Sequence, residues 1–430
     1  MSRTQGLKQW GFWPIILLAF IYPVNNALIG LAIPLYFYQI GIPLEIVGLL
    51  AAASAITYCF SPLLFSRIAD RLGRKKSVIL GMAGVAISQL IYYITLEPIP
   101  FFISRLLEGL FLGFYWMSLQ SCISDNSLQD HSKMMSNYNI SWNAGLLFGN
   151  LLGAIFLFLM NSIFLIFYIS PIIVLVDLFV AISIFKEGEK VDLERGNTLR
   201  EQNHIQENKR TDLPLTKYVI PMMIPILLVL SHSISKAGVN FLYPIRSVNL
   251  GFDGYTVYLF TFFCLITQLI GTSTATFYSI KNLKRIPLVY ITGLIIVLIF
   301  YGIATELTVF IILFFLLGFF CGSLYGFALK IFMVLNMKRK TSRYSALLES
   351  VIGTAFFLTP LIAGILAFLG IFTVFFLLAL ILMLFLGMTA YFTRKFHEDV
   401  KNDFGKKMAP TPGVSWKNES FSQFEPGSQE

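Results

Sequence analysis

The chain has 430 residues, of which 56% are hydrophobic, 15% aromatic and only 13% charged. That leaves too little polar surface to enclose a soluble core of this size, so the sequence predicts an all-α integral membrane protein. A net charge of +9 does not imply nucleic acid as a partner, because the basic residues lie in short segments beside apolar runs and do not gather on one face.

A bilayer core takes about 20 apolar residues per helix. The expected spans are residues 13–36, 46–65, 77–94, 99–123, 137–160 and 163–185, then 218–243, 255–280, 286–303, 307–334, 344–369 and 372–392. Arg3 and Lys8 precede the first run as they would in a signal peptide, but the run continues to Tyr36, long enough to span, and no small-residue cleavage site follows. Between the sixth and seventh spans, residues 186–217 carry acids and bases in near balance and read as a linker between two six-helix bundles, 1–185 and 218–393. The tail 394–430 is polar, with Pro410, Pro412 and Pro426, and reads as disordered. The cysteines, Cys59, Cys122, Cys264 and Cys321, fall in or at the end of spans without metal or disulfide spacing and read as small packing residues.

Alternating the loops places 28 of the 32 Lys and Arg residues on one side and Arg246 alone on the other, with Arg105, Lys236 and Lys330 inside spans. By the positive-inside rule both termini are cytoplasmic, and a plasma-membrane location is expected.

Sliding the second half on the first by about 206 to 209 residues brings features into register, as in parallel repeats. Gly109 and Gly113 meet Gly318 and Gly322, Tyr138 and Asn143 meet Tyr344 and Glu349, and Asn25 and Asn26 meet Ser231 and His232. The 281–285 segment keeps its bases but has no Asp or Gly-Arg to match the loop after the second span.

That loop reads Ser66-Arg67-Ile68-Ala69-Asp70-Arg71-Leu72-Gly73-Arg74-Lys75-Lys76. Its Asp-Arg-x-Gly-Arg-Lys core resembles the second-to-third-helix loop of the major facilitator superfamily, with Ser66 in place of the leading Gly. The resemblance implies two six-helix bundles around a cavity that opens alternately to either side, lined by the first, fourth, seventh and tenth helices. It also implies a conformational latch of Asp70, Arg71, Gly73 and Arg74, with Asp70 facing the N-terminus of the eleventh helix and an Arg pairing with Asp125.

Arg105-Leu106-Leu107-Glu108-Gly109 is similar to the family's Arg-x-x-Gln-Gly motif, with Glu108 where Gln is commoner. Arg105 and Glu108 share a helix face and can pair. The pair either fixes packing or has Glu108 carrying a proton whose affinity Arg105 sets. Glu349, a turn into the eleventh span, is a second proton site, a substrate ligand or an acid hydrated from the helix end. Asp177 lies in the sixth span, part of the outer scaffold in this family. Lys236, with His232 one turn earlier and Asn240 one turn later, forms a polar stripe on the seventh span. Asn25, Asn26, Tyr115, Trp116, Trp142, Gln268 and Tyr325 complete the substrate-binding candidates, with Tyr22 and Tyr243 as further aromatics. With few ionisable groups on the path, a highly charged substrate such as an organic phosphate is not favoured.

Residues 145–154 resemble the Gly-rich fifth-helix motif of exporters in the superfamily, with Asn150 for its Pro and Ala154 for its last Gly. The leading expectation is proton-coupled efflux of a small amphipathic molecule by a monomer in the lipid bilayer, without cofactor or metal. An importer or facilitator of a sugar or other neutral metabolite is the alternative, with Asn25, Asn26, Asn240 and Gln268 meeting hydroxyls. A receptor or scaffold that no longer turns over is the different-class alternative. No nucleotide-binding Gly-rich loop and no catalytic constellation occurs in the sequence, so an enzyme is not expected.

Overall fold

The computed structural model describes residues 2–126, 131–185, 220–277, 285–339 and 343–408. Among them are twelve helices long and apolar enough to cross a membrane: Trp13–Gln39, Leu44–Phe65, Arg74–Tyr93, Pro98–Cys122, Asn137–Met160, Phe164–Ser183, Met223–Asn249, Gly254–Thr274, Ile286–Ile303, Leu307–Ile331, Leu347–Leu369 and Ile371–Glu398. They are numbered here as the first to twelfth spans. The described residues contain no strand. Helices are the expected answer, since each backbone N–H and C=O must be satisfied within its own segment in lipid. The linker 186–217 lies outside the described residues.

The second span departs from the continuous helix expected. It runs Leu44–Tyr58 and restarts as Ser61–Leu72, with Pro62 in the new first turn. Proline has no N–H to give the preceding turn, so one helix ends there and a second begins. The restarted helix carries the charged motif, and the loop expected at 67–76 shrinks to Gly73, which ends one helix and starts the helix Arg74–Gln89. Its φ of +85° is open to glycine and strained for other residues. The twelfth span also differs, because helix Ile371–Met408 runs into the segment expected to be disordered. Residues 394–404 hold no Gly or Pro, and Arg394 Nε pairs with Glu398 Oε1 at 2.8 Å one turn on.

Internal duplication is visible in the packing. A methyl built on Gly109 of the fourth span would stand 1.8 Å from the Ser54 carbonyl oxygen of the second, and one on Gly318 of the tenth 1.9 Å from that of Cys264 in the eighth. Thr57 and Thr267 stand at equivalent places in the two contacts, Thr57 donating its hydroxyl to the Leu106 carbonyl of the fourth span at 2.6 Å and Thr267 to the Cys264 carbonyl three residues back at 3.0 Å. Such backbone-to-backbone approach supplies dispersion contact where lipid offers no hydrophobic drive to associate.

The two halves meet along two seams, where the second span packs on the eleventh and the fifth on the eighth. Span alternation puts the ends of the first and seventh spans on the face opposite the Asp70 motif, and there Tyr38 Oη donates to Asn249 Oδ1 at 2.6 Å. Tyr258 of the eighth span donates to the Leu28 carbonyl of the first at 2.6 Å. One apolar core runs through both halves, joining Leu28, Leu35, Phe37 and Leu50 near that face to Leu242, Tyr243, Val257 and Phe260, and continuing within the second half to Ile224, Phe327, Ile331 and Phe396 at the motif end. Toward the motif face, Ile15, Leu18, Tyr22, Val78, Met82, Tyr115 and Leu119 form a separate cluster confined to the first half.

Candidate functional site

Two polar clusters occupy the membrane interior, one in each half. The first is built on the fourth span. Arg105 Nη1 meets Glu108 Oε2 at 2.6 Å, with Arg105 5% and Glu108 2% exposed. The carboxylate accepts further hydrogen bonds from Tyr22 of the first span at 3.1 Å and Tyr92 of the third at 3.3 Å, and Arg105 Nη2 donates to Ser54 Oγ of the second at 2.8 Å. Four helices therefore converge on one ion pair. A buried charge at this depth is tolerable only with such partners. The second half has no counterpart: the repeat puts Phe314 and Leu317 at the two positions, and Tyr301 at the place of Tyr92 has a buried hydroxyl with no hydrogen-bond partner.

The second cluster lies on the seventh, eighth and tenth spans. Lys236, buried, donates in a close contact to Gln268 Oε1 and lies 3.8 Å from Cys264 Sγ. Gln268 Nε2 reaches across the seam to Asn143 Oδ1 at 3.4 Å, and Asn143 is itself held by donation to the Asn139 carbonyl at 2.8 Å. His232 Nδ1 lies 3.0 Å from the Cys321 carbonyl and its ring sits 5.2 Å from that of Tyr325.

The other seam carries a matching bridge. Glu349 accepts from Tyr58 of the second span at 2.7 Å and from Gln120 of the fourth at 2.6 Å. In the repeat, Glu349 stands where Asn143 does and Tyr58 where Gln268 does, so the two cross-half hydrogen bonds are equivalents. Sequence reasoning paired Asn143 with Glu349 but missed Tyr58 and Gln120, because their partners lie 291 and 229 residues away.

The remaining candidates divide. Asn25 is fully buried, accepting a close hydrogen bond from Ser170 of the sixth span, which also bonds Gln89 at 2.9 Å. Tyr115 is buried and donates to the Leu18 carbonyl at 2.7 Å. Both hydrogen bonds lie within the first bundle. Asn26 is exposed, and Trp116, Trp142, Asn240 and Tyr325 are half-buried. Asp177 is fully buried with neither carboxyl oxygen hydrogen-bonded. In the motif, Arg71 is exposed, while the side chains of Asp70 and Asp125 lie outside the described residues. All four cysteines are buried and none is in a disulfide, and among the described residues no group of His, Cys, Asp and Glu could hold a metal.

The family model for the Major Facilitator Superfamily matches residues 15–273 and 225–424. The chain is 28% identical over 181 residues to Multidrug resistance protein 2 of Bacillus subtilis (strain 168), a stretch covering 41% of this chain and 44% of that relative. It is 25% identical over 284 residues to the Staphylopine export protein of Staphylococcus aureus (strain Mu50 / ATCC 700699), covering 64% of this chain and 66% of that one. The matched stretches thus span 44% and 66% of these curated relatives' own lengths. Among solved structures, a bacterial homolog of the human lysosomal transporter Spinster, in an inward-facing and unoccupied conformation, superposes with a TM-score of 0.66 at 14% identity, covering 91% of this chain and 98% of that one.

Proposed function

Because the chain belongs to the Major Facilitator Superfamily, and is thus a multi-pass membrane transporter and not an enzyme, we propose that it exports a small amphipathic molecule by alternating access in exchange for protons. The observation that carries this reading is the asymmetry of closure. The halves 1–185 and 218–393 share one apolar core and the Tyr38–Asn249 hydrogen bond on one face, whereas toward the other the first half keeps its own apolar cluster and the halves meet through the polar Tyr58–Glu349–Gln120 bonds. With the basic motif face cytoplasmic and the protein a monomer in the plasma membrane, this is a state sealed to the outside.

Glu108 is the proposed proton site. As a carboxylate it accepts from Arg105, Tyr22 and Tyr92. A proton turns one of its oxygens into a donor and removes the charge that Arg105 balances, so protonation alters the packing of four helices at once. Glu349, bridging the halves, is the place where such a change passes from one bundle to the other. The Asp70 latch acts in the opposite swing; helix Ser61–Leu72, which carries it, lies against the eleventh span.

Export as the direction draws on the glycines of the fifth span and on the names of the two relatives. The test is uptake into proteoliposomes under an imposed pH gradient, with whole-cell accumulation measured with and without an uncoupler. Uncoupling should raise intracellular substrate. A fall on uncoupling would establish an active importer instead, and transport indifferent to the gradient would reject proton coupling.

A further inference from the structure

Lys236 is a buried cation with no countercharge. It sits mid-way along the seventh span at 7% exposure, and no carboxylate among the described residues lies within ion-pair distance of it. Its described partners are the Gln268 amide oxygen and the sulfur of Cys264, a weak acceptor. An ammonium group has three donors, and one at membrane depth is costly unless an anion or water completes its shell. Of the acids inside the spans, Glu108 is engaged by Arg105 and Glu349 by Tyr58 and Gln120, and Asp177 is buried in the first bundle.

His232 lies one turn before Lys236, and its Nδ1 hydrogen is spent on the Cys321 carbonyl, which holds the ring in place. Tyr325 stands against the His232 ring as an apolar wall. The ammonium is aimed by a relay: the Asn139 carbonyl fixes Asn143, Asn143 orients Gln268, and Gln268 presents its oxygen to Lys236. The relay begins in the first half and ends in the second.

We propose that Lys236 binds a carboxylate group of the transported molecule, beside His232 and Tyr325, so that the substrate is an organic acid with an apolar body. This rests on the transport reading above and adds the substrate's class. A single lysine flanked by amides matches one carboxylate, whereas a phosphate calls for several bases. An anion on Lys236 competes with Gln268 for its protons and loosens the Gln268–Asn143 contact, which couples occupancy to the seam between the halves.

The test is thermal protection of the full-length protein in nanodiscs by three probes built on one ring: benzoate, benzamide and benzylammonium. Benzoate should protect while the amide and the amine do not. Lys236→Met should weaken benzoate by about tenfold or more, and Lys236→Arg should keep it. The comparison of acid with amide needs the wild-type protein alone, so it holds even if Lys236→Met fails to fold. Protection by amide or amine equal to that by the acid, no protection by benzoate, or undiminished protection in folded Lys236→Met each overturns the assignment. Binding is indifferent to direction and to proton coupling, so failure of export leaves this result standing, and the reverse is also true.

Discussion

Tyr58 and Glu349 face each other at 2.7 Å across one seam of the molecule, with Gln120 bonding the same carboxylate from the other side. Hydrogen bonds to a charged group contribute about 1.5–3 kcal/mol each. Tyr58→Phe is therefore expected to shift the balance between conformations about tenfold, read as a change in labelling of single cysteines placed near Tyr38 and near Gly73. Equal labelling of wild type and variant would show that the contact does not discriminate between the states.

Breaking the Arg105–Glu108 pair from one side should be worse than removing it. Arg105→Met leaves a buried carboxylate, and such losses cost about 3–5 kcal/mol, so folded yield should collapse. The double change Arg105→Phe with Glu108→Leu copies the second half's Phe314 and Leu317 and should recover folded yield. Transport by this double variant would mean that the pair serves packing alone.

Asp177 offers the opposite case. Both its oxygens are buried without a hydrogen bond, since the one hydrogen of its neighbour Tyr115 goes to the Leu18 carbonyl. Asp177→Asn keeps the shape and removes the chargeable group, and is expected to leave the unfolding temperature unchanged or raise it. A fall of several degrees in a thermal melt would reveal a partner for the carboxylate.

Gly109→Ala and Gly318→Ala should each destabilise by about 1–3 kcal/mol, because backbone carbonyls stand where the methyl would go. Detergent melts of the two variants should fall by similar amounts if the two contacts are true equivalents.

The spans, the repeat and the ion pair were legible in the sequence because each is local or periodic. Arg105 and Glu108 lie one turn apart, and membrane-length apolar runs follow from bilayer thickness. The break at Pro62 had its residue in plain sight, but a proline early in a restarted helix and one inside a span look the same in sequence. The helix beyond Arg394 was hidden by the prolines that follow it. Asn25 shows the deeper limit. Its polarity pointed to a cavity, yet its Oδ1 accepts from Ser170 inside the first bundle, and only the packing of the first span on the sixth reveals that.

The contact between Gly48 and Gly364 has a bearing on motion. A methyl on Gly48 would lie 3.0 Å from the Gly364 Cα and 2.5 Å from the Pro360 carbonyl oxygen, so the second and eleventh spans touch through bare main chain. Surfaces without side chains have no rotamers to interlock and can roll while staying pressed together. This main-chain contact is thus suited to be a fulcrum, and a short covalent tether installed there should leave turnover intact while one between Tyr38 and Asn249 arrests it.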